Sequence, residues 1–144
     1  MGAPHMRTIG HLPGGCVVPP ELAVDNDAQA SLSSGIFGPA AVEQINPAST
    51  IAAIYDGSDP LPEQIIRASG IPGLDVIAGS MAAARFNTPE PFAAPAEIQT
   101  CLRSFLAEIR DGYDAILIDN PPNLQAANWA ALIASDYASR GVAS

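Results

Sequence analysis

Lysine is absent from all 144 residues, and the positive charge rests on six arginines: Arg7, Arg67, Arg85, Arg103, Arg110 and Arg140. They are scattered, and against fifteen acidic residues they leave a net charge of −9. A nucleic-acid binder concentrates basic residues on one face, so direct DNA binding by this chain is not expected. Cysteine is equally scarce. Cys16 and Cys101 lie 85 positions apart with no metal-ligand spacing, and no disulfide is expected of them. No apolar run approaches the roughly 20 residues that span a bilayer. No basic segment followed by an apolar core marks a leader, so no membrane association and a cytoplasmic location are the expectations.

What is present is a globular composition, 48% hydrophobic and 15% charged, of a length that fits one domain. Residues 1–21, dense in proline and glycine, read as an irregular N-terminal segment. Residues 22–137 read as the domain and 138–144 as an unstructured tail. Leu22-Ala23-Val24 reads as a short strand ending at Asp25, and Asn26 to Gly38 as a loop or irregular helices. Helices are expected over Pro47 to Asp56, with Ser49 or Thr50 near the cap, and between Pro62 and Ser69. Leu74 to Ala78 suits a strand, Ser80 to Phe86 a helical turn, and Asn87 to Pro95 a proline-rich loop.

The clearest element is Ala96 to Arg110. Ile98, Cys101, Leu102, Phe105, Leu106 and Ile109 fall at offsets 0, 3, 4, 7, 8 and 11, one apolar stripe of a helix. Asp111-Gly112 stops it. Ala115 to Ile118, apolar at every residue, then reads as a strand covered on both faces. Pro121-Pro122 forces a turn, and Leu124 to Ser135 suits a second helix carrying Trp129, a packing residue. The alternation argues for an α/β fold, a mostly parallel sheet flanked by helices.

In such sheets the ligand site lies beyond the carboxyl ends of strands. Two segments bring carboxylates there: Asp25-Asn26-Asp27 and Asp119. An aspartate at that place can hold Mg²⁺ through water or orient a water for hydrolysis. Capping of a strand end or of the following helix is the plainer role. His5 and His11 read as surface histidines, and with Cys16 they are not expected to form a metal site.

The segment Asp25-Asn26-Asp27-Ala28-Gln29-Ala30-Ser31 resembles the D-x-D-P-Q segment of the ParA/Soj/MinD partition ATPases. Tyr113-Asp114 through Asp119-Asn120-Pro121-Pro122 resembles that family's Walker B strand, and Thr50 to Gly79 sits where family members have a helix and strand. The resemblance implies an incomplete P-loop-NTPase-like fold and a role in plasmid or chromosome partitioning. It implies ATP and Mg²⁺ as cofactors, self-association, and a ParB-like centromere-binding partner. Carried over by position, Asp27 assists hydrolysis and senses the γ-phosphate, and Asp119 is the Walker B aspartate near Mg²⁺. Asp25 is the strand-end carboxylate close to the metal, and Pro121 and Pro122 shape the loop that follows nucleotide state.

The departures count as well. Ala28 stands for the family's proline and Ala30 for its glycine. The phosphate loop, G-x-x-x-x-G-K-S/T, needs a lysine, and Gly14-Gly15 offers a turn instead. The expectation is therefore an internal fragment of such an ATPase, unable to hydrolyse ATP alone. The alternative is a non-catalytic, degenerate interaction module that pairs through open strand edges.

Overall fold

The computed structural model describes residues 10–11, 17–90, 93–122 and 125–135. The expectations for His5, Gly14-Gly15, Cys16, Leu124 and the tail 138–144 lie outside these residues. Two short strands, β1 (Gly10–His11) and β2 (Val17–Val18), pair antiparallel within the proline- and glycine-rich start.

Among the described residues the main sheet has four strands: β3 (Glu21–Asp25), β4 (Ile66–Ala68), β5 (Leu74–Ile77) and β6 (Ala115–Asp119). Their spatial order is β4-β5-β3-β6, so β3 is central and β6 lies at an edge. β3 runs parallel to both β5 and β6, whereas β4 pairs antiparallel with β5. The expected mostly parallel α/β sheet is thus present as a mixed sheet. Its antiparallel member replaces the second half of the helix expected up to Ser69. Helix α4 (Pro62–Ile65) stops there, and Ile66 enters the ladder beside Ile77.

Helix α1 (Ser31–Phe37) fills part of the expected loop after β3, and α2 (Pro39–Glu43) follows it. The helix expected over Pro47 to Asp56 is split. A 3-10 turn at Pro47–Ser49 is capped by Asn46, and α3 (Ala52–Tyr55) begins where Thr50 Oγ1 accepts from the Ala52 amide at 3.2 Å. Next come α4 (Pro62–Ile65), a 3-10 segment at Met81–Phe86, α5 (Ala96–Ile109) and α6 (Ala126–Ala134).

The register Leu22↔Ile116 and Val24↔Ile118 sets one face of the sheet against α3, α5 and α6. Leu22, Val24, Ile51, Ile77, Leu102 and Ile109 are fully buried there. Tyr113 reaches across the sheet's opposite end and donates to the buried Asp75 carboxylate at 2.7 Å. One expectation fails: β6 is not covered on both faces. Ile116 and Ile118 pack on the core, but Leu117, pointing to the other face, is 59% exposed. Side chains alternate along a strand, and β6 is the last strand, so its second face meets no layer among the described residues.

Candidate functional site

Two aspartates meet at the carboxyl end of the sheet because β3 and β6 are adjacent, parallel and in register. Asp25 and Asp119 are direct Cα partners, and the Asn26 amide extends the ladder by donating to Asp119 O at 2.8 Å. Adjacent strands lie about 4.8 Å apart, so both carboxylates issue from one face at one height. The sequence placed each at a strand end; the pairing that brings them together is a long-range fact.

Asp25 is buried completely. Its Oδ2 accepts from the Ser33 amide at 2.9 Å and from Ser33 Oγ at 2.6 Å, and its Oδ1 accepts from the Asp27 amide at 3.4 Å. Ser33 Oγ in turn accepts from the Gly79 amide at 2.9 Å. Ala30, which precedes α1, holds a left-handed backbone and provides no side-chain cap. A helix start leaves amides without partners, and Asp25 satisfies one of them from the strand. Its acceptors are therefore committed to holding α1 on the sheet.

Asp27 is half-buried, and its Oδ1 accepts from the Gln29 amide at 2.9 Å, closing a tight turn. Asp119 is exposed. Its pKa is raised, first by partial desolvation and then by the charges of Asp25 and Asp27, so its proton is held more tightly than in water. Asp119 thus senses both neighbouring carboxylates.

Beyond Asp119 the loop is tied down by groups that the sequence did not single out. Asn26, 4% exposed, donates through Nδ2 to Asn120 Oδ1 at 3.0 Å and to Ala127 O at 2.8 Å. Its Oδ1 accepts from the Tyr55 hydroxyl at 2.7 Å. Burial pushes the Tyr55 phenol far upward, so it stays a neutral donor. Pro121 is buried, Pro122 exposed, and Pro121 O accepts from Asn128 Nδ2 at 2.8 Å. Asn26, Ser33, Tyr55 and Asn120 gave no sequence signal because their roles depend on partners from eight to 101 positions away.

Among the described residues, no group of three or more His, Cys, Asp or Glu is close enough to hold a metal ion by itself. Mg²⁺ does not require one, since it commonly takes one or two carboxylates and keeps its waters. An exposed Asp119 under the repulsion of two neighbouring carboxylates suits that mode. A phosphate is served less well. Arg67 Nη2 donates to Ser49 O at 3.5 Å and lies by the Phe37 ring, and Arg85 lies 4.6 Å from the centre of the Phe86 ring. The chain has no lysine to stand beside these carboxylates.

Over residues 21–139 the sequence matches the family described as an AAA domain. It is 33% identical over 122 residues to a candidate replication protein A of Rhizobium rhizogenes, covering 79% of this chain and 30% of that protein. It is 32% identical over 118 residues to a ParA family protein of Chlamydia pneumoniae, covering 81% and 44%. Among solved structures it is similar to a candidate plasmid partition protein of Borrelia burgdorferi bound to AMPPNP. The TM-score is 0.67 at 25% identity, over 83% of this chain and 48% of that one. The chain thus spans less than half the length of each of these proteins.

Proposed function

The chain belongs to the ParA/Soj/MinD-type family of partition ATPases, and from that premise we propose that it serves plasmid or chromosome partitioning by supplying the metal- and water-handling side of a nucleotide site. The observation that carries this reading is the register of Asp25 with Asp119 at the carboxyl end of adjacent parallel strands. Asp119 holds Mg²⁺ through water, and Asp27, on the next turn, orients the attacking water and responds to the γ-phosphate. Asp25 fixes the frame on which both stand and adds negative charge beside the ion. Pro121 and Pro122 stiffen the loop that changes with nucleotide state. The Borrelia protein with AMPPNP bound supports ATP as the nucleotide. A cytoplasmic setting, self-association and a ParB-like partner belong to the same reading.

Without a lysine to offset phosphate charge, this 144-residue chain alone does not hydrolyse ATP. Each charged hydrogen bond of that kind contributes about 1.5–3 kcal/mol, and a polyphosphate beside three carboxylates needs several.

A thermal melt with and without millimolar Mg²⁺, alone and with ATP, tests both parts. A ligand at about ten times its dissociation constant stabilises by roughly 1.4 kcal/mol, a shift of a few degrees. Mg²⁺ is expected to raise the melting temperature in the wild type but not in Asp119→Ala, with no phosphate released from ATP. Turnover of ATP would sink the second part. Indifference to Mg²⁺ would sink the first and favour a non-catalytic interaction module, a reading to which the edge of β6, unpaired among the described residues, lends support.

A further inference from the structure

A groove of about 390 Å³ runs between the Gly57–Pro60 connection after α3 and the outer face of α5. Ile54, Cys101 and Phe105 line it, and the exposed Asp59, Glu97 and Glu108 also face it. None of these residues takes part in the carboxylate site described above. Burial pushes the Cys101 thiol up to about 11, so it is uncharged at neutral pH and adds to the apolar strip of Ile54 and Phe105, with Thr100 and Ser104 beside it on α5. No arginine is among the residues that line the groove. We infer that this groove is a docking surface for a cationic amphipathic helix of a partner protein.

The alternatives fit less well. A second copy of the chain brings a charge of −9 and no lysine, so like-charged surfaces would oppose each other. A nucleic acid is repelled for the same reason. A single metal ion cannot bridge the groove. Glu97 and Glu108 are eleven residues apart on one helix, about 16 Å at 1.5 Å per residue, whereas ion–oxygen distances are about 2–2.6 Å. What does fit is a framework that carries several cations at that spacing and an apolar strip between them. A helix with arginines eleven positions apart and an apolar face between them has both, and helices commonly dock by laying an apolar face into such a groove. Arginine suits it better than lysine, because its guanidinium pairs with carboxylates in two parallel bonds.

The probe is a fluorescein-labelled helical peptide of about four turns, leucines on one face and arginines flanking them, titrated into the full chain at about 0.1 M salt and followed by anisotropy. Saturable binding is expected, with a counterpart carrying glutamate for arginine not binding. The double variant Glu97→Gln/Glu108→Gln is expected to weaken binding by about tenfold or more, on the scale of lost charge pairs. Glu43→Gln/Glu90→Gln, which removes equal charge from exposed positions elsewhere, is expected to change it by less than about twofold. Ser104→Trp, which fills the groove at constant charge, weakens binding as well. Failure to saturate, equal losses in the two double variants, or an unaffected Ser104→Trp would each overturn the inference.

Discussion

At Gly79 the fold leaves no room for a single methyl group. A Cβ there would stand 2.7 Å from the Asp27 carbonyl and 2.9 Å from the Asp25 carboxyl carbon. One is backbone and the other is fully buried, so neither can move aside. Gly79→Ala is expected to cost about 1–3 kcal/mol, read as a lowered urea midpoint. Gly35→Ala, in α1 with nothing within 4 Å, is expected to add about 0.5–1 kcal/mol. In the sequence Gly79 simply follows the strand expected at Leu74 to Ala78, and its true constraint is a close approach that only the fold creates. Asp119 makes the complementary point. Its folded-state value lies above the unfolded one, so folding disfavours its charged form. That destabilisation is present above the folded value and disappears as pH falls toward the unfolded one. Asp119→Asn should therefore melt higher than the wild type at pH 7, with the gain vanishing below about pH 4, where both forms are neutral. A purely structural cap would behave oppositely, losing stability on the same change.

Elements were legible in the sequence in proportion to their length and period. In α5 the apolar stripe identified six positions. Leu102, Phe105, Leu106 and Ile109 are buried, and Ile98 and Cys101 are half-buried at the margin of the stripe. Fourteen residues of one period leave little ambiguity. Leu102, fully buried, anchors that face, and Leu102→Ala is expected to cost about 2–5 kcal/mol by denaturant titration. Strand β4 shows why shorter elements escape. Ile66–Ala68 are only three residues, too few for any period, and their strand state is set by pairing with β5. Strand β6 misled for another reason. An unbroken apolar run matches a strand covered on both faces, but composition cannot say which strand lies last in the sheet. The candidate site was legible to the same extent. Two strand-end aspartates stood out, whereas their adjacency waited on the β3–β6 register and the Asn26 junction on partners far along the chain.

For the whole molecule, the sheet's edge and the surface charge act against each other. Strand β6 offers an unpaired edge among the described residues and an exposed Leu117 on one face. Proteins commonly guard such edges with lysine, proline or a bulge, and Ala115–Asp119 has no lysine or proline. Edge-to-edge pairing of two copies would bury Leu117, while the net charge of −9 keeps the copies apart. The balance should therefore shift with ionic strength. Raising salt from about 0.1 M to about 1 M shortens the screening length from about 10 Å to about 3 Å. Sedimentation velocity should then show self-association growing with salt. Leu117→Lys should suppress it, because the new charge guards the edge, while leaving the melting temperature nearly unchanged, because the wild-type side chain is mostly in solvent. Association that weakens with salt, or that survives Leu117→Lys, would place the contact elsewhere on the surface. The opposite salt dependence is expected of the α5 groove, whose cationic partner is held by the charges that salt screens. The two contacts can thus be separated by one titration of salt against a single preparation.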